Sequence, residues 1–137
     1  MKILKRILDI FYISNKKGII EGKSTMMELG NGGKVWVLNP QELQPNKFKW
    51  HKAIFHRENG KPAIEDSDGT RHWYKEGKLH RENDLPAIEY SDGSKYWYKE
   101  GKLHRENDKP AIEYSNGTKS WWKEGNFIKE HWITKIL

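Results

Sequence analysis

Three His-Arg-Glu triplets are the residues most able to do chemistry: His56-Arg57-Glu58, His80-Arg81-Glu82 and His104-Arg105-Glu106. Imidazole beside carboxylate is raw material for acid–base catalysis or metal ligation. The spacing argues against both. The triplets recur every 24 residues. If each unit supplies two strands, equivalent histidines fall about 10 Å apart, too far to share one metal at bonds of about 2 Å. The expected roles are structural hydrogen bonding and Arg–Glu pairing. A charged recognition stripe along His56, Arg57, His80, Arg81, His104 and Arg105 is the functional alternative. Asp66-Ser67-Asp68-Gly69 looks like the start of a calcium loop but lacks the remaining ligands, and it reads as a turn. Asn116-Gly117-Thr118, a formal glycosylation sequon, reads the same way. There is no cysteine, which excludes thiol catalysis, disulfides and thiolate zinc. No phosphate-binding loop or nucleophile elbow occurs. The expectation is a non-enzyme with no catalytic residue, metal or cofactor.

The triplets open a tandem repeat. His56–Leu79, His80–Leu103 and His104–Phe127 align without gaps, and Met27–Val37 aligns with Ile88–Tyr98 as a worn fourth copy. Terminal copies of an array often diverge because they cap it. Residues 39–47 read as an insertion, with the pattern resuming over 48–55. Within the second unit, residues 86–90 alternate as a strand does, Ser91-Asp92-Gly93 signals a turn, and residues 95–99 form an aromatic strand before the Glu100-Gly101 turn. A three-residue loop with left-handed Gly places Glu89 opposite Lys95. The same rule pairs Glu65 with Arg71, Glu113 with Lys119 and Glu28 with Lys34. Opposite charges in all four copies select this register. It also sets Ile88 opposite Tyr96 and Ala87 opposite Trp97. A lone hairpin is marginal in water, so stacked copies should align Trp36, Trp73, Trp97 and Trp121 as a ladder, backed by Ile64, Ile88 and Ile112.

The predicted fold is mainly β: an elongated antiparallel meander sheet of tandem hairpin repeats, capped by short N- and C-terminal helices. Residues 1–23 are a basic amphipathic helix and linker, 24–55 the divergent repeat with its insertion, 56–127 the three clear repeats, and 128–137 a C-terminal capping helix, all in one domain. The helices rest on 3.6-residue periodicity: Ile3, Leu4, Ile7, Leu8 and Phe11 on one face, then Ile128, Trp132, Ile133, Ile136 and Leu137.

With 35% hydrophobic residues but 12% aromatics and seven Trp, the chain is a thin fold rather than a disordered one. The net charge of +6 is uneven. Residues 1–55 hold ten basic and four acidic side chains, whereas residues 56–127 hold thirteen and fourteen. The basic arm includes Lys2, Lys5, Arg6, Lys16 and Lys17. No signal peptide and no membrane-length apolar run are read, and the expected compartment is the reducing cytoplasm.

The HRE triplets, Pro62, Pro86 and Pro110, the turn glycines, and Trp73, Trp97 and Trp121 resemble MORN-like repeat variants, over about residues 24–127. Lys61, Leu85 and Lys109 stand where that pattern has Gly before Pro. Such arrays look typical of bacteriophage and large-virus proteins and of some bacterial antitoxins. The resemblance implies β-hairpin arrays and contact with protein or membrane; it implies no shared reaction.

Tyr74, Tyr96, Tyr98, Tyr114 and Trp122 exceed what one thin core can bury, and exposed aromatics are enriched where proteins meet. The leading expectation is a repeat protein that binds another protein, a phage- or mobile-element-type inhibitor of a host-defence or toxin protein. The alternatives are nucleic-acid binding through the basic N-terminal region and a membrane-associated scaffold using the N-terminal helix. Homo-oligomerisation stays open.

Overall fold

The computed structural model describes residues 19–21, 24–38 and 53–132. Fourteen strands occupy them: β1 (Ile19–Glu21), β2 (Ser24–Glu28), β3 (Lys34–Val37), β4 (Ile64–Glu65), β5 (Arg71–His72), β6 (Tyr74–Lys75), β7 (Lys78–Leu79), β8 (Ile88–Glu89), β9 (Lys95–Tyr96), β10 (Tyr98–Lys99), β11 (Lys102–Leu103), β12 (Ile112–Glu113), β13 (Lys119–Lys123) and β14 (Asn126–His131). Ten form one antiparallel sheet in the order β1-β2-β3-β4-β5-β8-β9-β12-β13-β14; β6-β7 and β10-β11 are separate two-stranded hairpins.

The charge-selected register is the observed one. Glu28 lies opposite Lys34, Glu65 opposite Arg71, Glu89 opposite Lys95 and Glu113 opposite Lys119. The same pairing runs between units, Lys34 with Glu65, Arg71 with Glu89 and Lys95 with Glu113. From Lys34 to Glu113 each charge therefore has opposite charges on both sides. The loops are three residues long, with Gly69 and Gly93 left-handed at φ 91° and closing pairs such as Asp66 N–H to Thr70 O at 2.8 Å. Within each loop a carboxylate or amide caps the returning backbone: Asp68, Asp92 and Asn116 accept the N–H of Thr70, Ser94 and Thr118.

The aromatic strand expected over 95–99 is interrupted at Trp97. Pairing within the unit stops at Ile88–Tyr96, and the Trp97 N–H bonds instead to Ala111 O of the next unit at 2.8 Å. Beyond the break, Tyr98 pairs with Leu103 around a two-residue turn. Its residues Glu100 and Gly101 sit at φ 50° and 82°, the doubly left-handed form that twists with a hairpin. Gly101 N–H reaches back to Leu79 O, and Gly77 and Gly125 do the same to Phe55 and Leu103. Each hairpin tip is thereby hydrogen-bonded to the residue just before its own unit.

The C-terminal capping helix is corrected over its described part. Residues 128–131 belong to β14, paired along β13 with a bulge between Trp121 and Trp122. In the inner units a His-Arg-Glu triplet turns the chain away after the hairpin. Here Ile128-Lys129-Glu130 replaces it, and the return strand runs straight on to cover the last ladder edge. The N-terminal strand β1 was not expected. The expected helix over 2–12 and the insertion over 39–47 lie outside the described residues.

Candidate functional site

Residues opposite one another in a ladder share a face. Val35, Ile64, His72, Ile88, Tyr96, Ile112 and Ser120 therefore line one side of the sheet, and the Glu/Lys/Arg row lines the other.

The charged side carries the tryptophans, and arginine separates them. Arg57 lies 3.5 Å above the Trp36 ring centroid, Arg81 3.7 Å above Trp73 and Arg105 3.8 Å above Trp97. The Nη1 of each donates to the carbonyl of Pro62, Pro86 or Pro110 at 3.1–3.2 Å and to Glu65, Glu89 or Glu113 at 2.8–2.9 Å. The indoles in turn hold the loops, donating to Gly60, Asp84 and Asp108 carbonyls. The tryptophan ladder is therefore a Trp–Arg–Glu lattice. Arg57, Arg81 and Arg105 point inward, and Glu58, Glu82 and Glu106 are not their partners.

The histidines are built in as well. The Nδ1 atoms of His56, His80 and His104 accept the N–H of Glu76, Glu100 and Glu124, the left-handed turn residues, at 3.1–3.2 Å. The Nε2 atoms of His80 and His104 lie 3.1 and 3.0 Å from Glu82 and Glu106 but out of line for a hydrogen bond. Lysine, first Lys75 and Lys99, holds both carboxyls below their ordinary range. The His and Arg side chains of the expected stripe thus each make contacts within the array. Among the described residues no group of three or more His, Asp or Glu is placed to hold a metal.

The opposite side carries the tyrosines. Tyr90 and Tyr114 stand two residues beyond Ile88 and Ile112, on the same face. Tyr90 contacts Tyr96 edge-on at 5.0 Å, Tyr96 meets Tyr114 at 5.9 Å, and His72 flanks Tyr90 at 6.5 Å. Tyr74 packs on Phe55 and Trp122 on Phe127, each at 5.3 Å. Ile64, Ile88 and Ile112 are buried below this layer, while Tyr74, Tyr90, Tyr96, Tyr98, Tyr114 and Trp122 are each half-buried. Burial pushes the Tyr74 and Tyr98 hydroxyls up to about 12, and burial with a hydrogen bond to Tyr114 raises Tyr96 further. These phenols stay protonated across the physiological range and can donate hydrogen bonds. At the C-terminal end Phe127 and Trp132 are exposed.

All five expected aromatics are part-exposed, and Tyr96 and Tyr114 meet in one row with Tyr90. Tyr90 belongs in that row and was missed, although it occupies the same repeat position as Tyr114. His72 was also missed. It takes the Tyr96 position in the first unit, is 2% exposed, and bonds Asp66, which takes the Tyr90 position, at 3.0 Å. Lys2, Lys5, Arg6, Lys16 and Lys17 lie outside the described residues. No family model, curated protein or solved structure matches the chain.

Proposed function

We propose that this chain is a non-catalytic repeat module that binds another protein through its tyrosine face. The observation that carries this reading is the layer of Tyr74, Tyr90, Tyr96, Tyr98 and Tyr114, half-exposed over a buried isoleucine row. Tyrosine combines large contact area, a hydroxyl and few rotatable bonds, which suits a rigid recognition surface. By contrast, exposed lysines around the hairpin tips pair with acids, Lys75 with Glu82, Lys78 with Glu100 and Lys99 with Glu106. That balance favours a protein over a phosphate backbone. On the resemblance to MORN-like arrays, the partner is a host-defence or toxin protein that the chain inhibits in the cytoplasm.

The test is capture of the partner from the native cell, followed by binding of the purified pair. Tyr90→Ala and Tyr114→Ala should each weaken binding at least about tenfold while far-UV circular dichroism stays unchanged. Lys102→Ala, at a hairpin tip, should bind as the wild type does. Unaltered affinity in both tyrosine variants defeats the proposal. So does a gel shift with nucleic acid that falls steeply with salt and persists in those variants.

A further inference from the structure

The last unit presents half of an interaction that the second unit shows complete. In the second unit, Trp97 donates its indole N–H to Asp84 O at 2.9 Å. That ring and the Asp84 carboxylate together receive Arg105 of the next unit. The guanidinium carbon stands 3.8 Å over the ring, Nε lies 2.9 Å from Oδ1, and Nη2 lies 3.3 Å from Oδ2. Lys109 adds a third contact to Asp84 at 2.7 Å.

The third unit rebuilds the receiving half. Trp121 donates to Asp108 O at 2.8 Å, and Asp108 takes the same left-handed backbone as Asp84, φ 51° against 55°. The residue 24 positions after Arg105 is Lys129. Carried on β14, its Nζ lies 4.9 Å from the Trp121 centroid. Asp108 is exposed and has no ion-pair partner among the described residues. Trp121 is only half-buried, whereas Trp97 is 6% exposed.

We propose that Trp121 and Asp108 form a socket for an arginine side chain of a binding partner, which ends the array by supplying the guanidinium that a further repeat would supply. The ligand chemistry follows from the filled copy. A flat, weakly hydrated guanidinium stacks on an indole and forks onto a carboxylate at once; an ammonium does one or the other. Arginine seated on an aromatic ring is also a recurrent anchor of protein interfaces. This site is separate from the tyrosine face, and either can fail alone.

The experiment titrates the full chain with N-acetyl-arginine amide and follows the indole N–H resonances by NMR. The Trp121 signal should shift saturably while that of Trp97 stays fixed, and the lysine and citrulline analogues should leave both unmoved. Asp108→Asn should weaken binding about tenfold. Lys129→Ala should keep or strengthen it, and Lys129→Arg should abolish it by filling the socket from within. No saturable Trp121 shift in either the wild type or Lys129→Ala overturns the proposal. An equal response to the citrulline analogue also overturns it.

Discussion

Replacing Arg81 by lysine tests whether guanidinium geometry, rather than positive charge, joins the units. Arg81 is mostly buried, with its side chain 18% exposed. It makes three contacts: the Trp73 ring at 3.7 Å, Pro86 O at 3.1 Å and Glu89 at 2.8 Å. A hydrogen bond to a charged partner contributes about 1.5–3 kcal/mol, and a cation on an indole contributes about 1 kcal/mol when partly desolvated. Glu89 keeps Arg71 at 2.9 Å when Arg81 is lost, so its carboxylate is not stranded. Arg81→Met should therefore cost about 3 kcal/mol, a fall in Tm of about 10 °C for a chain of this size. Lysine keeps the charge but cannot stack and reach both oxygens together, so Arg81→Lys should cost about half as much. Urea and thermal unfolding, followed by both tryptophan fluorescence and far-UV circular dichroism, measure the loss. A lysine variant as stable as the wild type would refute the reasoning.

Further outcomes follow from the turns and the titrating groups. Glu76 is held at φ 49°, a conformation that asparagine tolerates better; Glu76→Asn should stabilise by about 0.5–1 kcal/mol, read as a rise in the urea midpoint. Tyr74 and Tyr98 are pushed up to about 12 from 10.0 by burial. Their stabilisation is intact below pH 10 and lost as the pH climbs towards 12, so phenolate absorbance should show a late ionising fraction that merges with unfolding. Hydrogen bonds from Arg105 and then Lys109 pull the Asp84 carboxyl down to about 2. It therefore stabilises above its unfolded value near 3.8 and loses that contribution as pH falls towards 2. Asp84→Asn should flatten the acid limb of the stability curve over that window.

The strand register was legible because a charge pair repeated four times leaves only one alignment in which every pair matches. The bulged turns were legible because a Gly stands at the same place in each loop. The interleaving of arginine with tryptophan was not. Arg81 lies 8 residues after Trp73 in sequence, and only the fold brings it across the unit boundary onto the ring. Nor did the sequence reveal that Trp97 would bond to Ala111 rather than to its own unit; local propensity says nothing about which neighbour takes a backbone N–H. Over residues 128–131 the expected C-terminal helix was misread because Ile128 and Trp132 satisfy a helical period, yet the unpaired edge of β13 offers backbone partners that an isolated short helix cannot match. Of the tyrosines, Tyr74, Tyr96, Tyr98 and Tyr114 were singled out from the sequence, and Tyr90, the repeat equivalent of Tyr114, was not.

Backbone NOEs in solution test the shared register most directly, because a slip by one residue would carry every tyrosine to the opposite side of the sheet. They should link Arg71–His72 to Ile88–Glu89, and Lys95–Tyr96 to Ile112–Glu113. Cross-strand contacts confined within single repeats, or displaced by one residue between them, would contradict the account.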